Sequence, residues 1–160
     1  MIAKHLIHHR WFRRLLAASA LALLPLAILG AETAVNVDKD GVAIEGHDPV
    51  AYFLEGRAVP GSEVHRYEWA GAVWQFSNSE NLDLFRRDPE SYAPKYGGYC
   101  AWAVAQGYAA EIDPDAFTVH NGKLYLNYSK SIQRRWDRER EKNIAEADRN
   151  WPALAQQKTR

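Results

Sequence analysis

The chain has 160 residues, 47% of them hydrophobic and 25% charged, and its 20 Lys and Arg balance its 20 Asp and Glu. That length favours one domain, and the composition excludes the disordered and fibrous classes. The charge is unevenly placed. Lys4, Arg10, Arg13 and Arg14 precede any acidic residue, and an uncharged run from Leu15 to Leu29 follows. A basic start, a short apolar run and then small residues is the order of a cleaved export signal. The run is short for a membrane-spanning helix, which needs about 20 residues. Residues 1–31 therefore read as a signal peptide cut after Ala31, and the mature chain is expected in the periplasm. The Arg13-Arg14 pair fits the twin-arginine pattern poorly, which favours the general export route. Cleavage leaves 16 basic against 20 acidic residues, a net charge of −4 with histidine neutral. A mildly acidic domain lacks the footprint of a nucleic-acid binder. Contact with the membrane is expected only through the signal segment.

The mature chain reads as a small α+β domain over residues 32–154. It is expected to have short antiparallel hairpins packed against several helices, a long C-terminal helix and a disordered tail at 155–160. Residues 32–40 are a leader into it. Val42 and Ile44 alternate like a strand. Asp48-Pro49 gives a cap followed by proline at the first helical position, for a short helix ending near Gly56. His65, Tyr67 and Trp69 share one face of a strand that turns at Ala70-Gly71 into a second strand from Val73. Asn78 or Ser79 caps a helix with Leu82 and Phe85 on its apolar side, ended by Pro89. "YCAWAVAQG" predicts a helix that begins near Gly97-Gly98 and stops at Gly107. Asn121-Gly122 marks the clearest hairpin, flanked by Phe117, Val119, Leu124 and Leu126. From Ser129 to about Asn150 the spacing of Ile132, Trp136, Ile144 and Ala147 predicts one helix, closed by Pro152. No internal repeat is legible.

The segments "GHDPVAYF", "YEWAGAVWQFSNSENLDLFRRDPESYAPKYGGYCAWAV" and "GKLYLNYS" together resemble exported proteins of the YHS-domain family. The core of the likeness covers about residues 64–96. The resemblance implies metal binding, copper in particular, through a pair of cysteines in the helix after the second strand. In this chain the matching positions are Ser77 and Asn81, so that ligand pair is missing; neither residue suits a soft metal ion. What carries over is the scaffold together with Cys100 in "GGYCAWAV".

Cys100 is the sole cysteine of the chain. In an oxidising compartment a thiol with no partner is a packed core residue, a reactive group, a metal ligand or an intermolecular bridge. Placed one turn into a helix led by two glycines, it would have a lowered pKa and a backbone that a ligand can approach closely. Its apolar helical neighbours, Ala103 and Val104, favour plain packing. His47, in the turn before Asp48, is the second candidate ligand, and Asp48 itself reads as a helix cap. His65 reads as a packed or edge residue and His120 as an exposed turn residue. The five mature tryptophans, Trp69, Trp74, Trp102, Trp136 and Trp151, fill a core or line a pocket. No haem-attachment, Cys-x-x-Cys, phosphate-loop or serine-elbow motif occurs. The leading expectation is a periplasmic binding module that holds a metal ion such as copper, or a small ligand, at Cys100 with His47. Two alternatives stand beside it: a thiol-dependent redox or transfer enzyme with Cys100 as nucleophile, and a structural interaction domain with Cys100 in its core.

Overall fold

The structure, a computed structural model, describes residues 34–159; the expected signal peptide, 1–31, lies outside the described residues. The fold is α+β, with six α-helices and two antiparallel two-stranded sheets among those residues. In chain order they are α1 (Ala51–Leu54), β1 (Ser62–Trp69), β2 (Ala72–Phe76), α2 (Ser79–Arg87), α3 (Pro89–Tyr92), α4 (Ala101–Ala105), β3 (Asp113–His120), β4 (Lys123–Asn127), α5 (Lys130–Arg138) and α6 (Arg140–Lys158). Short 3-10 turns at Ile44–Gly46 and Lys95–Gly98 precede α1 and α4.

Local chemistry accounts for much of this. The Asn78 side chain accepts the Asn81 N–H at 2.8 Å and starts α2, and Ser129 does the same for Ile132 at 3.3 Å and starts α5. Each thereby satisfies one of the donors that a helix start leaves unpaired. Val42 and Ile44 do not form the expected strand. Val42 makes a single parallel bridge to Val73, and Ile44 and Glu45 adopt left-handed backbone (φ 44° and 53°) that turns the chain towards Asp48. Residues 34–37 of the expected leader pack onto the domain. Ala34 and Asn36 are buried, and the Asn36 N–H donates to the Gly97 carbonyl at 2.8 Å.

The chain contains a structural repeat that its sequence hides. Each element of β1-β2-α2 has a counterpart of equal length 51 residues later: Ser62–Trp69 and Asp113–His120, Ala72–Phe76 and Lys123–Asn127, Ser79–Arg87 and Lys130–Arg138. Both hairpins slip register at matched places, between Ser62 and Arg66 and between Asp113 and Phe117. The left-handed positions match too: Glu45 and Tyr96, Gly46 and Gly97, Gly56 and Gly107, Ala70 and Asn121, Gly71 and Gly122. Across 44–87 and 95–138 the residues identical at this offset are three glycine pairs, Ala58/Ala109 and Arg87/Arg138. Three of the five matched left-handed pairs are glycine in both motifs, where that backbone carries no side-chain penalty, while the packing residues differ. The two halves are called the first and second motif below.

Two apolar clusters form the core, the first joining the two motifs and the second joining the second motif to α6. One gathers Trp74, Phe76 and Phe85 from the first motif with Leu124, Leu126 and Cys100 from the second. The other sets Tyr96, Val104, Tyr125 and Trp136 against Ala147 and Leu154 of α6. β4 serves both, with Leu124 and Leu126 facing the first cluster and Tyr125 the second.

The expected single C-terminal helix is two. It breaks at Glu139 (φ −127°, ψ 40°), where Asn143 Nδ2 takes the Trp136 carbonyl at 3.1 Å. The break lets α5 lie on the β3-β4 hairpin while α6 crosses to α4. Nor does Pro152 stop α6, which runs to Lys158 and includes residues 155–158 of the expected tail. Proline inside a helix forfeits one backbone bond. The contacts on either side outweigh that loss here: Asn150 Nδ2 bonds the Val104 and Ala105 carbonyls, Trp151 packs on Tyr96 and Tyr99, and Leu154 is buried.

Candidate functional site

The two motifs share one corner, where the segment entering the short helix meets the junction between the second strand and its following helix. In the first motif Asp48 fills it. Its carboxylate is fully buried, and Oδ1 accepts the Val50 and Ala51 N–H groups at 2.9 and 3.3 Å. Oδ2 accepts the Ser77 N–H at 2.9 Å, the Ser77 hydroxyl at 2.7 Å and Asn81 Nδ2 at 2.7 Å. Asp48 thus caps its helix as the sequence suggested and in addition ties that helix to the start of α2. Ser77 and Asn81, the positions that the family resemblance singled out, are the donors that make the tie. Burying a carboxylate is costly unless such donors satisfy it.

In the second motif Cys100 takes the place of Asp48. The turn before it is one residue longer, four residues against three, so Cys100 rather than Tyr99 falls opposite Asp48. The backbone bonds agree: Asp48 N–H donates to the Val59 carbonyl at 2.9 Å, and Cys100 N–H to the Ala110 carbonyl at 3.0 Å. Tyr128 N–H, the counterpart of Ser77 N–H, donates to Cys100 Sγ at 3.3 Å. The thiol donates in turn to Asn127 Oδ1 at 3.8 Å, and Trp102 N–H donates to the same oxygen at 3.2 Å. Asn127 is fully buried, and its Nδ2 has no partner.

Cys100 is therefore not one turn inside a helix. It precedes α4, which begins at Ala101. Burial pushes the thiol pKa up, and the N–H groups of Ala103, Tyr128 and Trp102 pull it down by less, so the net shift is upward. The expected depression does not arise, because Cys100 is 1% exposed and desolvation disfavours the thiolate. The glycines before it also serve the fold. A Cβ on Gly97 would lie 1.9 Å from the Ala34 carbonyl oxygen, so the close approach they allow is that of the chain's own N-terminal segment.

An apolar cavity of about 200 Å³ opens onto Cys100, walled by Trp102, Ala103, Tyr108, Ala110, Tyr128 and Ile132. Tyr128 and Ile132 are the second-motif counterparts of Ser77 and Asn81. Tyr108 and Tyr128 are exposed and stand at its rim. Asn127 and Tyr128 lie in the "GKLYLNYS" segment, which does not single them out as site residues, and Tyr108 and Ile132 carry no motif; the folding of β4 and α5 around α4 brings them to Cys100.

The other candidates lie apart from this cavity. His47 pairs with Pro60 in a backbone bridge, its Nδ1 is 3.2 Å from the Glu45 carbonyl, and it is not among the cavity walls. His65 is half-buried on β1 beside Tyr67 and Trp69. His120 is half-buried rather than exposed, with Nε2 2.8 Å from Glu141 Oε1. Trp74 and Trp136 are fully buried core residues. Among the described residues no three His, Cys, Asp or Glu side chains group to hold a metal ion. The cavity wall has one sulfur and neither imidazole nor carboxylate, so its donor set does not fit a copper ion. No protein family, curated protein or solved structure matches the chain.

Proposed function

We propose that the chain is an exported, non-enzymatic binding module of YHS type whose site is the cavity at Cys100 and whose ligand is a small molecule. One observation carries this: a corner plugged by a hydrogen-bonded carboxylate in the first motif opens in the second as a cavity walled by aromatic and aliphatic side chains. Ligand sites are characteristically concave and apolar with a few polar groups. The family resemblance points to the same corner, since the counterparts of positions 77 and 81 are the cavity residues Tyr128 and Ile132. A desolvated thiol with a raised pKa supports binding over nucleophilic catalysis. The basic and apolar start of the chain supports export.

The test is ¹⁹F NMR of fluorobenzene with the purified protein and with Ile132→Trp, which fills the cavity. A bound signal that the variant loses is expected. Absence of binding to the unaltered protein overturns the reading. Cu(I) and Zn(II) titrations run alongside are expected to show no stoichiometric uptake that depends on Cys100. Mass spectrometry of the exported protein is expected to find Glu32 at its N-terminus.

A further inference from the structure

The comparison of the two corners also indicates what the ligand carries. In the first motif Oδ2 of Asp48 engages Ser77 N–H, Ser77 Oγ and Asn81 Nδ2, and no cation takes part in these contacts. The scaffold thus holds a buried carboxylate with neutral donors alone. In the second motif a cysteine stands in that place, one heavy atom shorter along the branch and with no oxygen. Sulfur is a weak acceptor, so the Tyr128 N–H that it receives at 3.3 Å is poorly satisfied. Beside it lies a second, independent deficit. The Asn127 carboxamide is fully buried against the sulfur, and its Nδ2 donates to nothing. Buried donors without acceptors are rare in folded proteins and commonly mark a missing partner. The corner is short of a strong acceptor, and the cavity reaches it at Cys100 and Tyr128, with the Asn127 carboxamide behind the sulfur.

We infer that the ligand is a small apolar molecule bearing a carboxylate, whose body lies between Trp102, Tyr128 and Ile132 and whose head takes the place at the corner that the Asp48 carboxylate holds in the first motif. This rests on the reading of the Cys100 cavity as a ligand site. The size agrees: a buried cavity of about 150 Å³ accepts benzene, so about 200 Å³ has room for one ring and a head group.

The experiment compares benzoate with toluene, following binding by Trp102 fluorescence and the ¹H–¹⁵N signals of the purified protein. Benzoate is expected to bind at least tenfold more tightly than toluene and to move the amide signal of Tyr128 and the side-chain signal of Asn127. In Cys100→Asp the chain supplies its own carboxylate, as the first motif does, and benzoate binding is expected to disappear with the circular dichroism unchanged. Should Cys100→Asp fail to fold, Ile132→Trp closes the cavity from the α5 side and is expected to abolish benzoate binding. Equal affinity for the two probes, unmoved Tyr128 and Asn127 signals, or benzoate binding retained in a folded Cys100→Asp or Ile132→Trp variant overturns the carboxylate inference. If toluene still binds in the first of those cases, the cavity reading stands. Binding of neither probe overturns both.

Discussion

The two motifs share backbone, register slips and left-handed positions, yet they solve the same packing problem with different chemistry. In the first, β2 alternates between buried and half-buried residues, as expected of a sheet with one covered face. In the second, β4 is buried from Leu124 to Asn127, because α6 and α4 cover the face that the first motif leaves partly open. At the corner the first motif uses a charged group with five donors, and the second uses a neutral thiol with a cavity and an orphaned amide. The lesson is that a duplicated backbone keeps its turns and frees its interior. Where one motif fills the corner with a satisfied network, the other leaves a cavity there.

Several substitutions break or sharpen that comparison. The largest effects are expected where both copies bury an aromatic at the same helical position, Phe85 and Trp136, each 0% exposed. Phe85→Ala and Trp136→Ala should each cost about 4 kcal/mol in urea unfolding, as large-to-small core changes do. If only one of them mattered, the two helices would not be equivalent.

Next comes Asp48→Ala, which strands the Asn81 amide and the Ser77 hydroxyl in the interior. A loss of about 3 kcal/mol is expected, since unpaired buried partners carry most of such costs. Less than about 1 kcal/mol would mean that the corner is not a keystone. Cys100→Ala removes a weaker acceptor next to an existing cavity, so about 1–2 kcal/mol is expected.

The thiol also gives a pH signature. Its folded pKa is raised, so its contribution to stability is complete below the ordinary thiol value and is lost as pH rises above about 8.5. The melting temperature of the native protein should fall more steeply than that of Cys100→Ala over this range. Parallel curves would show that the sulfur is solvated. The smallest effect is expected from Trp136→Phe, which restores the first motif's type of residue and removes an indole N–H that has no partner. Lost area and a relieved donor should nearly cancel, within about 1 kcal/mol.

The sequence by itself determined the elements with local causes. Asn121-Gly122 and Ala70-Gly71 specify their turns, Asn78 and Ser129 their helix starts, and alternation in 65–69 a strand face, because each depends on neighbours within a few residues. It also determined the α+β class and singled out Cys100 as the residue to watch. Tertiary structure alone decided the rest. The C-terminal segment breaks at Glu139 and passes through Pro152 because packing on α4 outweighs helix propensity. Cys100 has a raised pKa because residues distant in sequence, among them Asn127, Tyr128 and Ile132, bury it. The repeat escaped sequence reading because the two motifs share backbone angles and three glycine pairs, while Cys100, Tyr128 and Ile132 stand where the first motif has Asp48, Ser77 and Asn81. The side chains that distinguish a plugged corner from an open one are those free to diverge, since a backbone under steric constraint tolerates many interiors.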